Sequence, residues 1–273
     1  MYSFLYKGLL RLLATLASTS SRRGGSLLPI VRKTSRQTPI SQGGKIMTAK
    51  FHFINHACFM LEKNNSAIIF DPYLEGNPEG LTAKDIKVDY IFVSHGHFDH
   101  LGSAFEIAKN CDATIISTAE ICGLAQEAGC KAHAMHLGGT FKFPFGKLRL
   151  TLAFHGAGVP GGHACGVVLD FYGTKLYFAG DTALFSDMQL LPKLDAFDYA
   201  VLPIGGNFTM DPNDALIACQ FLQAKYVIPV HYNTWPPIAQ DVQAFKAAVE
   251  EETSSKVLVV NPGETIEIPP VIA

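Results

Sequence analysis

The stretch Val93-Ser94-His95-Gly96-His97-Phe98-Asp99-His100 decides the reading of this chain. Three histidines and an aspartate fall within six residues, directly after the apolar run 90–93, which reads as a buried strand. His95 and His97 stand two apart, so in an extended loop their side chains face the same side. Asp99 and His100 are consecutive and suit the turn into a following helix, where they face a second point beside the first. Neutral imidazole and carboxylate are the usual ligands of zinc and its neighbours in the divalent series. A lone histidine is more often a core or surface residue, but four such groups at this spacing point to a metal.

Working outward, the same order of apolar strand and then polar ligand recurs three times. His155 follows the run 150–154, Asp181 follows 176–179 through Gly180, and His231 follows 226–230. Each alone reads as a turn aspartate or a strand-end histidine. With the cluster they bring the count to seven, which fits two metals sharing one bridging carboxylate.

Around these residues, short apolar runs alternate with Gly, Pro and Asp. Strands are expected at 51–54, 58–61, 67–70, 90–93, 113–116, 141–143, 148–153, 166–171, 175–178, 199–202, 226–230 and 257–260. Helices are expected at 104–109, 119–128, 212–222 and 239–250. This rhythm indicates a layered α/β protein. At 273 residues and 48% hydrophobic, the chain can bury a sizeable core, and it is neither disordered nor collagenous. No stretch approaches the roughly 20 apolar residues of a membrane-spanning helix, and no membrane partner is expected.

Charge is distributed unevenly. The first 50 residues carry nine basic side chains and no acidic one; the rest holds all 24 acidic residues against 13 basic ones, of which only Arg149 is arginine. Nucleic-acid surfaces cluster Arg and Lys to neutralise phosphate, so this acidic body is not expected to bind nucleic acid. Six scattered cysteines without a C-x-x-C pair read as buried, reduced thiols of an intracellular protein. Residues 1–47, Arg- and Ser-rich and free of acids, read as a targeting presequence for a mitochondrion or plastid. The alternative is a cytoplasmic protein starting at Met47, and Gly43-Gly44 is the natural linker to the domain at 48–273.

The chain resembles the metallo-β-lactamase fold superfamily in its H-x-H-x-D-H loop with later single His, Asp and His residues. It is similar to a branch of small metal-dependent hydrolases that includes ascorbate-6-phosphate lactonases. The segments carrying the likeness are Asn55-His56-Ala57, Phe70-Asp71-Pro72, Ser94 to Gly102, His136-Leu137-Gly138-Gly139, Phe154-His155-Gly156, Ala179-Gly180-Asp181-Thr182, Leu202 to Met210 and Pro229 to Thr234. It runs from about Lys50 to about Glu267 and leaves out the basic presequence. It implies a four-layer αββα sandwich of two central mixed β-sheets with helices outside and a metal site at one sheet edge. It also implies His95, His97 and His155 on a first metal, Asp99, His100 and His231 on a second, and Asp181 bridging. The 157–165 stretch is short compared with many relatives, which puts the loop beside His155 in doubt.

Hydrolysis follows from such a site. A divalent metal lowers the pKa of bound water to about 7, and a hydroxide bridging two metals can attack a small ester, lactone or phosphodiester. Asp99 is the expected catalytic residue, orienting the nucleophile and carrying a proton to the leaving group. Among relatives, redox di-iron enzymes place a glutamate at the position of His97, so the histidine favours hydrolysis. Two divalent ions are expected, zinc first, with manganese or iron as alternatives. His56, Asp71 and His136 are candidates for supporting or pocket roles, Asp71 as acceptor from a ligand histidine. Asn207, Thr209, Tyr232 and Asn233 are expected to contact a small-molecule substrate. The competing expectation is a catalytically silent metal- or metabolite-binding protein of the same fold. Homo-oligomerisation is left open.

Overall fold

The computed structural model describes residues 48–268. In chain order the strands are β1 (Ala49–Asn55), β2 (Cys58–Lys63), β3 (Ser66–Phe70), β4 (Tyr90–Phe92), β5 (Thr114–Thr118), β6 (Lys131–Met135), β7 (Thr140–Phe143), β8 (Gly146–Leu152), β9 (Cys165–Phe171), β10 (Thr174–Phe178), β11 (Tyr199–Pro203), β12 (Tyr226–Val230), β13 (Lys256–Val257) and β14 (Thr265–Ile268). The helices are α1 (Phe98–Leu101), α2 (Ala104–Cys111), α3 (Ala119–Glu127), α4 (Leu191–Leu194), α5 (Pro212–Leu222) and α6 (Val242–Glu252).

The strands form two seven-stranded sheets, ordered β14-β1-β2-β3-β4-β5-β6 and β13-β12-β11-β10-β9-β8-β7. Each is mixed. β3 to β6 run parallel in the first sheet and β10 to β13 in the second, while the remaining neighbours are antiparallel. Alternation along the strands sorts side chains between layers. Ile68, Phe70, Phe92 and Ile116 join Leu150, Val167, Phe178 and Val201 in the core between the sheets. Ile69, Ile91 and Ile115 face the other way, onto Ile107 of α2 and Ile121 of α3. On the far side, Tyr177, Ala200 and Val227 pack with Ala218 of α5 and Phe245 of α6. The result is the expected αββα order of layers.

The inter-sheet core reaches up to the functional edge. Phe70, the last residue of β3, and Phe178, the last of β10, meet edge-to-face at 5.8 Å, and both contact Phe59. Loops leaving β3 and β10 therefore start from two points fixed by one aromatic cluster.

Some elements depart from expectation. Of the run 257–260 only Val257 lies in a strand, paired together with the preceding Lys256. α6 begins at Val242 because Asp241 caps it, accepting from the N–H groups of Gln243 and Ala244 at 3.0 Å. The edge strands β6 and β14 are mostly solvent-facing and come in addition to the expected strands, each alternating polar and apolar over only four residues, 131–134 and 265–268. The cysteines of the described residues are all free, and all but Cys111 are buried. No helix among the described residues is long and apolar enough to cross a membrane. The presequence reading of residues 1–47 lies outside the described residues.

Candidate metal centre

Parallel strands in register end at a common edge. Phe70 pairs with Phe92, and Pro203 with Val230. The segments after β3, β4, β10 and β12 thus emerge side by side, carrying Asp71, His95, Asp181 and His231. Backbone hydrogen bonds then stitch the two sheets together at this edge. His231 N–H donates to His56 C=O at 2.7 Å, Cys165 N–H to Ser94 C=O at 3.0 Å, and Gly96 N–H to Ala157 C=O at 2.8 Å. Phe154 N–H donates to Thr182 Oγ1 at 3.0 Å and its C=O accepts from Ala183 N–H at 3.1 Å, which seats His155 beside Asp181. Gly180 permits the approach. Its φ is +62°, and a Cβ there would stand 2.9 Å from Ser94 Cβ and 2.8 Å from Cys165 O.

All seven expected ligands come together. His97 Nδ1 lies 2.9 Å from His95 Nε2 and 3.2 Å from His155 Nε2. A second group joins His56, Asp99, His100 and His231. Asp181 stands between the two: its Oδ2 lies 3.2 Å from His100 Nε2, 3.1 Å from His231 Nε2 and 3.6 Å from His155 Nε2. Ligand atoms about 2.1 Å from a tetrahedral ion sit roughly 3.4 Å apart, close to these separations.

Protonation in the cluster is dictated by its neighbours. Asp71 is fully buried. Its Oδ1 accepts from Ser94 N–H at 2.7 Å, and its Oδ2 accepts from Ser94 Oγ at 2.6 Å and from His100 Nδ1 at 2.7 Å. The single Ser94 hydroxyl proton is thereby used, so Ser94 Oγ accepts from His95 Nδ1, 2.9 Å away. Both His95 and His100 are left with Nε2 toward the cluster, the arrangement that outer partners give metal-ligating histidines. Asp71 also neighbours His95 and His100 as a candidate ligand group. Its oxygens are spent on these three donors, which makes it an orienting partner.

A cation fits the donors present. His100 Nε2, His231 Nε2 and Asp181 Oδ1 are buried without a hydrogen-bond partner, and such groups are costly unless satisfied. Burial lowers the pKa of His95 and His155, keeping neutral rings with lone pairs to give. Burial pushes the Asp181 carboxyl up, but His100 and His231 outweigh it and hold it well below the usual range. Burial likewise opposes charge on His100, and Asp181 and Asp71 more than offset it, raising its pKa. Burial works against the Asp99 anion too, yet a hydrogen bond from His56 and the His100 charge bring its pKa down to about 2. His56 itself is lowered to about 4, chiefly by burial. Its Nε2 lies 3.3 Å from Asp99 Oδ2 and its Nδ1 2.9 Å from Thr234 Oγ1.

The cluster opens into a cleft of about 440 Å³ lined by His97, Phe98, Asp99, His155, Asp181, Phe208, His231, Trp235 and Pro237. The residues expected to contact substrate are not among them. Asn207, with φ +51°, shapes the turn 206–210, closed by Gly206 N–H to Met210 C=O at 2.9 Å. Thr209 Oγ1 turns back to Met210 C=O at 3.3 Å. Asn233, with φ +60°, donates its N–H to Ile238 C=O at 2.9 Å and accepts from Gln240 N–H at 2.7 Å. Tyr232 packs on the outer face of the second sheet. These residues build the loops; Phe208 and Trp235, which the loops carry, reach the cleft. His136 is exposed in a turn, its C=O accepting from Gly139 N–H at 2.8 Å, and it belongs to neither ligand group. Sequence reasoning missed Ser94 and the aromatic walls. Trp235, the sole tryptophan, was the one available signal for the latter.

Comparison with known proteins matches residues 67–232 to the Beta-lactamase superfamily domain. A UPF0173 metal-dependent hydrolase from Natranaerobius thermophilus is 51% identical over 220 residues, covering 80% of this chain and 99% of its own. One from Listeria innocua is 47% identical over 229 residues, covering 80% of this chain and all of its own. Among solved structures, Igni18, a metallo hydrolase from the archaeon Ignicoccus hospitalis, is similar with a TM-score of 0.75 at 35% identity, covering 81% of this chain and 98% of its own.

Proposed function

The chain belongs to the UPF0173 metal-dependent hydrolase family of the beta-lactamase superfamily, and on that premise we propose that it hydrolyses a small ester, lactone or phosphodiester at a pair of divalent cations. His95, His97 and His155 would hold one ion, Asp99, His100 and His231 the other, with Asp181 shared. Zinc is the first choice of metal, with manganese or iron as alternatives. The observation that carries the reading is the placement of Asp181 Oδ2 within 3.6 Å of Nε2 atoms from both groups.

Bound in these positions, two divalent cations would supply Lewis acidity toward a substrate oxygen and make hydroxide available near neutral pH. The chain's own residues do the rest. Asp99, its side chain partly open to the cleft, is ionised at neutral pH and can take a proton from the attacking water and pass it to the leaving group. His56, neutral at that pH, holds Asp99 through Nε2, while its Nδ1 faces the Thr234 hydroxyl. Asp71 and Ser94 keep His100 and His95 in the tautomers that face the cluster.

The partner of this site is a small molecule, and the acidic body argues against nucleic acid. The basic, acid-free first 47 residues support import into a mitochondrion or plastid, which a reporter fused behind them would test. For the activity itself, the full chain is assayed by elemental analysis and with aryl-ester, lactone and phosphodiester probes, with and without chelator. Chelator-sensitive turnover supports the enzyme. Tight ligand binding without turnover of any probe overturns it in favour of a silent binding protein.

A further inference from the structure

Beyond its ligand residues, the cleft is walled by Phe98, Phe208, Trp235 and Pro237, and among the described residues no Lys or Arg lines it. Its volume, about 440 Å³, falls in the ~300–1,000 Å³ range of small-molecule sites. Phe98 is 70% and Phe208 55% exposed, so two large rings stand in water at the mouth of a polar cluster, the kind of apolar surface that marks a binding site.

These walls are held in place before any ligand arrives. Phe98 and Trp235 meet at 6.2 Å, and each contacts Tyr73. The loop bearing Phe208 is tied to Asp181's neighbour by Met210 N–H donating to Thr182 C=O at 3.0 Å. Gln240 Nε2 donates to Gly205 C=O at 2.8 Å and joins that loop to the one carrying Trp235.

An anionic substrate would find only the bound cations, and no basic side chain of the described lining, to hold its charge. Phosphoryl oxygens are usually gripped by Arg forks or Lys. Arg149, the sole arginine of the described residues, is engaged elsewhere, with the Asp195 carboxylate and with Gly138 C=O at 3.0 Å.

We infer that the site takes an uncharged carboxylic ester or lactone bearing an aryl or similarly flat apolar group, which lies against Phe98, Phe208 and Trp235 while its carbonyl reaches the polar floor. This rests on the hydrolase reading above and narrows it. One water is consumed. The acyl carbon gains a bond to the water oxygen, its bond to the leaving oxygen breaks, and the proton taken up by Asp99 ends on that oxygen. No oxidant or reductant is needed.

Trp235 is the only tryptophan of the chain, so its fluorescence reads the cleft directly. Metal-replete full-length protein is titrated with acetanilide, an amide stand-in for a phenyl ester, and with diphenyl phosphate, an anionic diester carrying the same rings. Acetanilide should perturb Trp235 emission saturably and bind more tightly than the phosphate. Phe208→Ala and Phe98→Ala should each weaken it about tenfold, as loss of a buried ring face predicts. Tighter binding of diphenyl phosphate would overturn the inference. So would an unchanged acetanilide Kd in Phe208→Ala, including the case where that variant alters only self-association. Turnover of phenyl acetate, measured in parallel with and without chelator, separates the two readings. Turnover with an indifferent Phe208→Ala sinks the substrate class alone; the expected binding pattern without turnover sinks the hydrolase alone.

Discussion

Asp71 and His100 form a buried pair in which Oδ2 of the carboxylate accepts from Nδ1 of the ring at 2.7 Å, and that bond leaves the ring's other nitrogen for the cluster. The same oxygen receives the Ser94 hydroxyl. Replacing Asp71 by Asn puts an NH₂ where one of two accepting oxygens stood, so the donors from Ser94 and His100 cannot all be met. Orienting partners of this kind are worth about 10–100-fold in metal affinity. Asp71→Asn should lose affinity by that factor in a competition titration against a chromophoric chelator, and an unchanged affinity would remove the orienting role.

Asp181 joins the two ligand groups, so its loss should be felt by both. Asp181→Ala should lower metal content by about one equivalent or more and abolish turnover. Elemental analysis of the purified variant checks this, and retention of two equivalents would refute the bridging role.

Asp99 combines an ionised carboxylate with a contact to His56 at 3.3 Å. Asp99→Asn keeps the shape of the side chain and removes its basicity. If Asp99 moves protons, kcat should fall by about 10²–10⁴-fold while KM changes little. A variant that instead loses metal with kcat per bound metal intact would make Asp99 a ligand only.

Much of this site was legible from local pattern. The spacing of His95, His97, Asp99 and His100 is a property of six consecutive residues, and His155, Asp181 and His231 each end an apolar run, so strand geometry carries them to one edge. Asp71 followed the same logic. The cleft walls were not legible, because Phe98, Phe208 and Trp235 have the composition of core residues and only tertiary structure leaves Phe98 and Phe208 exposed and Trp235 half-buried beside them. Asn207 and Asn233 lie outside the cleft lining, with positive-φ backbones in the turns that carry Phe208 and Trp235. The edge strands β6 and β14 escaped notice because each alternates over only four residues, and in β6 the apolar positions are the small Ala132 and Ala134, a weak signal.

Away from the site, the Asp195 carboxylate is gripped by Lys147 and Arg149, which tie β8 to the residue following α4. Burial opposes its ionisation, but hydrogen bonds from Lys147 and Arg149 prevail and lower its pKa. A carboxyl with a depressed folded-state pKa stabilises the fold most where it is ionised in both states, above the unfolded value of about 3.9. The contribution then fades as pH falls through the folded value. Partly exposed ion pairs of this type are worth about 1 kcal/mol or less. Asp195→Asn should therefore lower stability by about that amount at pH 7, read as the difference in urea midpoints. The gap between variant and wild type should narrow as pH drops below about 4. A gap that stays constant from pH 7 down to pH 3 would mean that Asp195 contributes through packing and not through its charge.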